Sequence, residues 1–281
     1  MKKDHRLGIY EKAMPNSMTI PEKLCCAKDF GFDFMELSID ETPEKLARLD
    51  MSGDERLRLV SDMAIFVPIR TICLSGHRKY PLGSMDPEIR RESLHIMERA
   101  IRLACDLGVR VIQIAGYDVY YEDSTAETGA LFLEGLRESV GIASAHGVIL
   151  AFETMETPFM NNVKKAMVYV NELDSPYLQV YPDIGNCTNA AVSYNEDILQ
   201  DLWSGKGHIA AVHLKETEPG KFREIEYGKG HVDFARVIKA AMSLGVRLYV
   251  TEFWDDPQKD YKERIACSKQ FIDRIFAGIH C

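Results

Sequence analysis

Apolar residues along this chain fall into short runs, and each run is followed by a longer stretch in which they return every third or fourth position. Short apolar runs read as buried strands and the longer period as amphipathic helices. The runs are LGIY (7–10), FMELSI (34–39), IRTICLS (69–75), VIQIAG (111–116), ILAFETM (149–155), LQVYPD (178–183), IAAVHLK (209–215) and RLYVTEFW (247–254), eight strands in all. Helical periodicity is clear in ESLHIMERAIRLACDLG (92–108), SVGIASAHG (139–147) and DFARVIKAAMSLG (233–245), each closed by a glycine suited to a helix C-terminus.

One phrase recurs at the passage from helix to strand: DFGFDF (29–34), DLGVRV (106–111), AHGVIL (145–150) and SLGVRL (243–248). In each, a glycine stops a helix just before a strand begins. Alternating strands and helices demand a parallel sheet with right-handed crossovers. Eight such units in 281 residues predict an α/β fold of the (β/α)₈ TIM-barrel kind, as a single domain over residues 1–281. No G-x-G-x-x-G follows the first strand, so a dinucleotide fold has little support.

In such a barrel the active site lies at the C-terminal ends of the strands. Acidic and imidazole groups collect there: Glu36 on the second strand, Glu153 on the fifth, Asp183 on the sixth, His213 on the seventh and Glu252 on the eighth. Taken singly, each has an ordinary explanation. A strand-end glutamate is usually a rim charge, Asp183 in YPDIGN is a good turn former, and His213 resembles a hydrogen-bonded core histidine. Four of them on four consecutive strands read differently, because carboxylates pointing into one cavity repel and a divalent cation relieves that repulsion. Three carboxylates and one imidazole suit Mn²⁺, Co²⁺, Zn²⁺ or Mg²⁺.

Charge narrows the function classes. The 34 Lys and Arg against 43 Asp and Glu leave a net charge of -9, which speaks against a nucleic-acid or membrane-surface role. No apolar stretch is long enough for a membrane span, and the N-terminal MKKDHRLGIYEKAMPNS lacks a secretory apolar region. Seven scattered cysteines without a CxxC pair predict reduced thiols and a cytoplasmic location.

The segments SGHRKYPLGS (75–84), AGYDVYYE (115–122), ETMETPFMNN (153–162), YPDIGN (181–186), AAVHLKETEPGKFREIEYGKGHVDF (210–234) and TEFW (251–254) together resemble the L-ribulose-5-phosphate 3-epimerases of the xylose isomerase-like TIM-barrel group. The resemblance implies that Glu153, Asp183, His213 and Glu252 bind one divalent ion. It also implies that Glu153 and Glu252 serve as acid and base in epimerising L-xylulose 5-phosphate and L-ribulose 5-phosphate. Related free-sugar epimerases carry histidine three residues after the aspartate, where this chain has Asn186. Chemistry supports the scheme: the C3 proton is acidic only through the C2 carbonyl, a metal would stabilise the resulting enediolate, and inversion needs a proton carrier on each face.

Phosphate requires cations or backbone N–H groups. The candidates are His77, Arg78 and Lys79 after the third strand, Lys215, Arg223 and Lys229 after the seventh, and the backbone of residues 228–230, with Arg223 preferred and His77 and Arg78 next. Glu36 is expected to contact a substrate hydroxyl or to support a ligand, and Asn186 to contact substrate. A small sugar phosphate is the expected partner, in a homodimer. Rival readings are another sugar isomerase or dehydratase on the same scaffold, an abasic-site endonuclease, which the charge disfavours, and a non-catalytic sugar-phosphate binder.

Overall fold

The computed structural model describes residues 4–279; the ends of the expected domain, with Cys281, lie outside the described residues. Eight parallel strands, β1 Arg6–Tyr10, β2 Phe34–Ile39, β3 Ile69–Leu74, β4 Val111–Ala115, β5 Ile149–Glu153, β6 Leu178–Tyr181, β7 Val212–Leu214 and β8 Leu248–Thr251, form a sheet in the order β6-β5-β4-β3-β2-β1-β8-β7. The barrel closes between β6 and β7 through the parallel bridges Val180 with Ile209 and Asp183 with His213. That seam is irregular: Pro182, which has no N–H to give, follows β6, and β7 is correspondingly shorter than the expected run 209–215.

The helices are α1 Ile20–Asp29, α2 Pro43–Leu46, α3 Gly53–Ile65, α4 Pro87–Leu107, α5 Ala126–His146, α6 Val163–Leu173, α7 Ile184–Tyr194, α8 Ile198–Ser204, α9 Phe234–Ser243 and α10 Tyr261–Ile279. The repeated helix-to-strand glycines behave as their sequence suggests. Gly31, Gly108, Gly147 and Gly245 all have φ between 65° and 91°, the left-handed region open to glycine without a side-chain clash.

Strand alternation divides the core in two. Outward residues such as Leu37, Ile39, Leu150 and Phe152 pack under the helices. Inward residues Tyr10, Phe34, Cys73, Val111, Ala151, Tyr181, Ala211 and Val250 fill the barrel. Gly8 keeps the lower layer open, because a Cβ there would overlap the Phe34 ring. Counting in twos from these inward positions reaches Glu36, Gln113, Glu153, Asp183, His213 and Glu252. The same pleat that buries the lower barrel therefore aims all six polar groups at its axis. Among the described residues no helix is long and apolar enough to cross a membrane, and the six described cysteines are free.

Candidate metal centre and active site

At the C-terminal end of the barrel, one ligand atom from each of Glu153, Asp183, His213 and Glu252 lies within 4.8 Å of the others. All four side chains are buried, at 6%, 0%, 0% and 5% exposure. Nδ1 of His213 stands 3.1 Å from Oε1 of Glu153 and 3.1 Å from Oε2 of Glu252. Its other nitrogen, Nε2, lies 2.6 Å from Oε1 of Glu36.

Asp183 reaches this point as the N-cap of α7. Its Oδ1 accepts from the Asn186 backbone N–H at 2.8 Å, which leaves Oδ2 facing the cluster. Gly185 lets the helix start there, since a Cβ would lie 2.8 Å from the Lys215 carbonyl and 2.7 Å from the Thr217 methyl. Asp183 is thus both the turn residue and a member of the acidic cluster.

The electrostatics are those of a crowded anionic centre. Burial pushes the Asp183 carboxyl up to about 7, although nearby Lys215 opposes the rise. Burial works against charge on Glu252 as well, yet His213 and Lys215 outweigh it and hold that carboxyl below its usual range. Lys215 Nζ approaches Asp183 Oδ2 to 2.7 Å and Glu252 Oε2 to 3.9 Å. Neither contact has hydrogen-bond geometry, and both oxygens are buried without a hydrogen-bond partner. Charged neighbours offset part of the cost of burying these oxygens, but without well-formed hydrogen bonds the rest remains. A divalent ion would satisfy both, and three carboxylates with one imidazole nitrogen are a suitable hard donor set, so the residues present fit the ion.

Around the cluster lies a small cavity of about 90 Å³, lined among others by Tyr10, Cys73, Arg78, Asn186, Arg223 and Trp254. Asn186 donates through Nδ2 to the Thr154 carbonyl at 2.7 Å, while its Oδ1 is buried without a partner. The cavity mouth carries two guanidiniums. Arg78 lies 4.5 Å from the centre of the Tyr120 ring and Arg223 lies 4.9 Å from that of Trp254. Glu156 stands at the same mouth, accepting from Tyr120 OH at 3.0 Å and lying 3.4 Å from Arg223 Nη2.

Two expected substrate contacts stand elsewhere. His77 is buried at 5% exposure in a short helical turn, with Nε2 3.1 Å from the Ser93 carbonyl on α4. Burial lowers its pKa to about 4, so it is a neutral packing group rather than a cation for phosphate. Glu36 lies beneath the cavity: Oε2 accepts from Thr71 at 2.7 Å and Tyr181 at 2.9 Å, and Oε1 faces His213. It is fully buried and does not line the cavity. Lys79 and Lys229 are exposed and do not line the cavity. Sequence reasoning passed over Gln113, whose Nε2 donates to Glu153 Oε2, and Glu156. A polar residue inside the apolar run VIQIA was a usable signal for the first.

A family model described as xylose isomerase-like TIM barrel matches residues 26–271, and the chain belongs to that family. Within it, curated relatives match almost end to end. L-ribulose-5-phosphate 3-epimerase UlaE of Salmonella heidelberg (strain SL476) is 43% identical over 280 residues, covering 99% of this chain and 97% of the relative. The protein of the same name from Escherichia coli O139:H28 (strain E24377A / ETEC) is 43% identical over 274 residues, covering 97% and 95%. The chain is accordingly an enzyme of the epimerase class. Among solved structures, an L-ribulose 3-epimerase superposes with a TM-score of 0.80 at 19% identity, covering 98% of this chain and 96% of the other. A D-psicose 3-epimerase with D-tagatose from Clostridium cellulolyticum H10 gives 0.81 at 17%, covering 98% and 100%. At that identity the likeness is one of fold.

Proposed function

We propose that this enzyme inverts C3 of a ketopentose phosphate, interconverting L-xylulose 5-phosphate and L-ribulose 5-phosphate. The observation that carries the reading is the placement of Glu153 and Glu252. Glu153 ends β5 and Glu252 directly follows β8, and an oxygen of each lies 3.1 Å from the same His213 nitrogen. The relatives' printed name supports the substrate.

In this reading Glu153, Asp183, His213 and Glu252 hold one divalent ion, with Zn²⁺, Mn²⁺, Co²⁺ and Mg²⁺ all compatible with the donors. When bound, the ion supplies positive charge beside the C2 carbonyl and lowers the cost of removing the C3 proton. One glutamate takes that proton at a carboxylate oxygen, and the other returns a proton to the opposite face. Gln113 fixes the rotamer of Glu153 by donating to Oε2, and Glu36 fixes the ring of His213. Asp183 would give Oδ2 to the ion while its Oδ1 caps α7.

Asn186 offers its free Oδ1 to a substrate hydroxyl, Lys215 contributes a buried cation beside the reacting centre, and Arg223 with Arg78 receives the phosphate. Each guanidinium is backed by an aromatic face, which holds a planar cation in place. The chain acts as a single domain, and a cytoplasmic homodimer belongs to the same proposal; sedimentation of the purified protein tests the dimer. Product analysis tests the reaction. L-xylulose 5-phosphate is expected to give L-ribulose 5-phosphate, whereas an aldose product would mark an isomerase on the same scaffold.

A further inference from the structure

Arg223 stands midway along a connection of residues 215–233, which has little regular structure between β7 and α9. A segment of that length is mobile unless something ties it down, yet Arg223 must hold a phosphate at a fixed distance from C3. The tie is next to Lys215. Glu216 is buried at 3% exposure, and its carboxylate points back into its own loop. Oε1 accepts from the backbone N–H of Thr217 at 3.2 Å and of Val232 at 3.1 Å, and Oε2 accepts from that of Gly228 at 2.9 Å.

One side chain at the start of the connection thus grips two points near its end. Thr217 reinforces the closure: its carbonyl accepts from the His231 N–H at 2.9 Å, its Oγ1 lies 3.0 Å from His231 Nε2, and the same hydroxyl donates to the Gly185 carbonyl at 3.1 Å. The last bond joins the loop base to the first turn of α7, whose N-cap is Asp183. Gly230 is obligatory in this packing, because a Cβ there would collide with the Thr217 carbonyl and Glu216 Oε1.

We infer that Glu216 is a positioning residue which pins the loop 217–231 and thereby sets where Arg223 meets the substrate. Its hydrogen bonds go to backbone N–H groups of its own loop and to none of the four clustered side chains. A carboxylate is needed because all three partners are donors. An amide would turn an NH₂ toward at least one of them and replace a charge-assisted hydrogen bond with a clash of donors. The inference rests on the assignment of the phosphate to Arg223.

The test compares Glu216→Gln, Arg223→Ala and the double variant, all metal-loaded, by hydrogen exchange and by kinetics with L-xylulose 5-phosphate. In Glu216→Gln, amides of 217–231 should exchange at least about tenfold faster, and KM should rise by about tenfold with kcat little changed, the factor expected for losing a charge-assisted contact. Because Glu216 acts through Arg223, the double variant should have the KM of Arg223→Ala alone. If Glu216→Gln does not fold, Gly230→Ala disturbs the same closure from the other side and should give the same pattern. Unchanged exchange in the loop, or a KM effect that adds fully to that of Arg223→Ala, overturns the inference. A normal KM in Arg223→Ala overturns the phosphate assignment instead, and the exchange measurement still decides the pin.

Discussion

Nε2 of His213 lies 2.6 Å from Oε1 of Glu36, and both side chains are wholly buried. Because Oε2 of Glu36 already accepts from Thr71 and Tyr181, Oε1 is the atom left to receive the imidazole N–H. That bond fixes the ring with Nδ1 facing Glu153 and Glu252, where an ion between them would take the Nδ1 lone pair in place of a proton, as when a carboxylate orients a metal-binding histidine. Glu36→Gln should therefore weaken the affinity for a divalent ion by roughly 10- to 100-fold, read by competition with a chelator. Unchanged affinity would show that the ring is held by packing alone.

Removing ligands outright should be more severe. Asp183→Ala and His213→Ala should each lower metal content below about one ion per chain, and chelator should strip the parent protein with loss of turnover. Elemental analysis after dialysis is the direct measurement. Full occupancy in both variants would take these side chains out of the centre.

The four-residue cluster was legible from strand-end chemistry because the barrel's pleat fixes which positions face its axis. Its supporting contacts were not. Glu36 and His213 are 177 positions apart, and only barrel closure brings them together. His77 had the right residue type in the right loop, but a short helical turn points its ring at Ser93. Rotamer and turn geometry, invisible to periodicity, decided that placement. Asn186 followed from a motif, whereas Glu156 gave no signal beyond being one more acidic residue after a strand.

Arg223→Ala should raise KM for the phosphorylated substrate by a factor corresponding to about 1.5–3 kcal/mol while leaving metal content intact. Isothermal titration with substrate and with metal separates the two effects. Equal KM values would shift the phosphate to Arg78, the other guanidinium at the cavity mouth.

Acid stability should depend on a buried cluster beside the barrel rim. Glu11 is fully buried with Lys23, Lys45 and Arg48 around it. Burial alone would raise its carboxyl pKa, but the three cations outweigh that and bring it from 4.5 down to about 2. A carboxyl whose folded pKa is depressed stabilises the fold above its unfolded value and loses that contribution as pH falls through the folded one. Glu11 should thus contribute roughly 3 kcal/mol above pH 4.5 that disappears toward pH 2. Glu11→Gln should be less stable at neutral pH and should show a flatter acid limb in urea melts. An acid limb as steep as the parent's would assign the pH dependence to other carboxylates.

If Glu153 and Glu252 carry protons to opposite faces of C3, solvent exchange separates their roles. Metal-loaded protein is incubated with each 5-phosphate epimer in deuterated water, and deuterium at C3 is followed by NMR. The parent should label C3 of both epimers. Glu153→Gln and Glu252→Gln should each lose epimerisation by about 10²-fold or more, yet each should still exchange C3 of one epimer, a different one in each variant. Loss of exchange with the same epimer in both variants, at normal metal content, would contradict the two-face scheme and reduce one glutamate to a ligand.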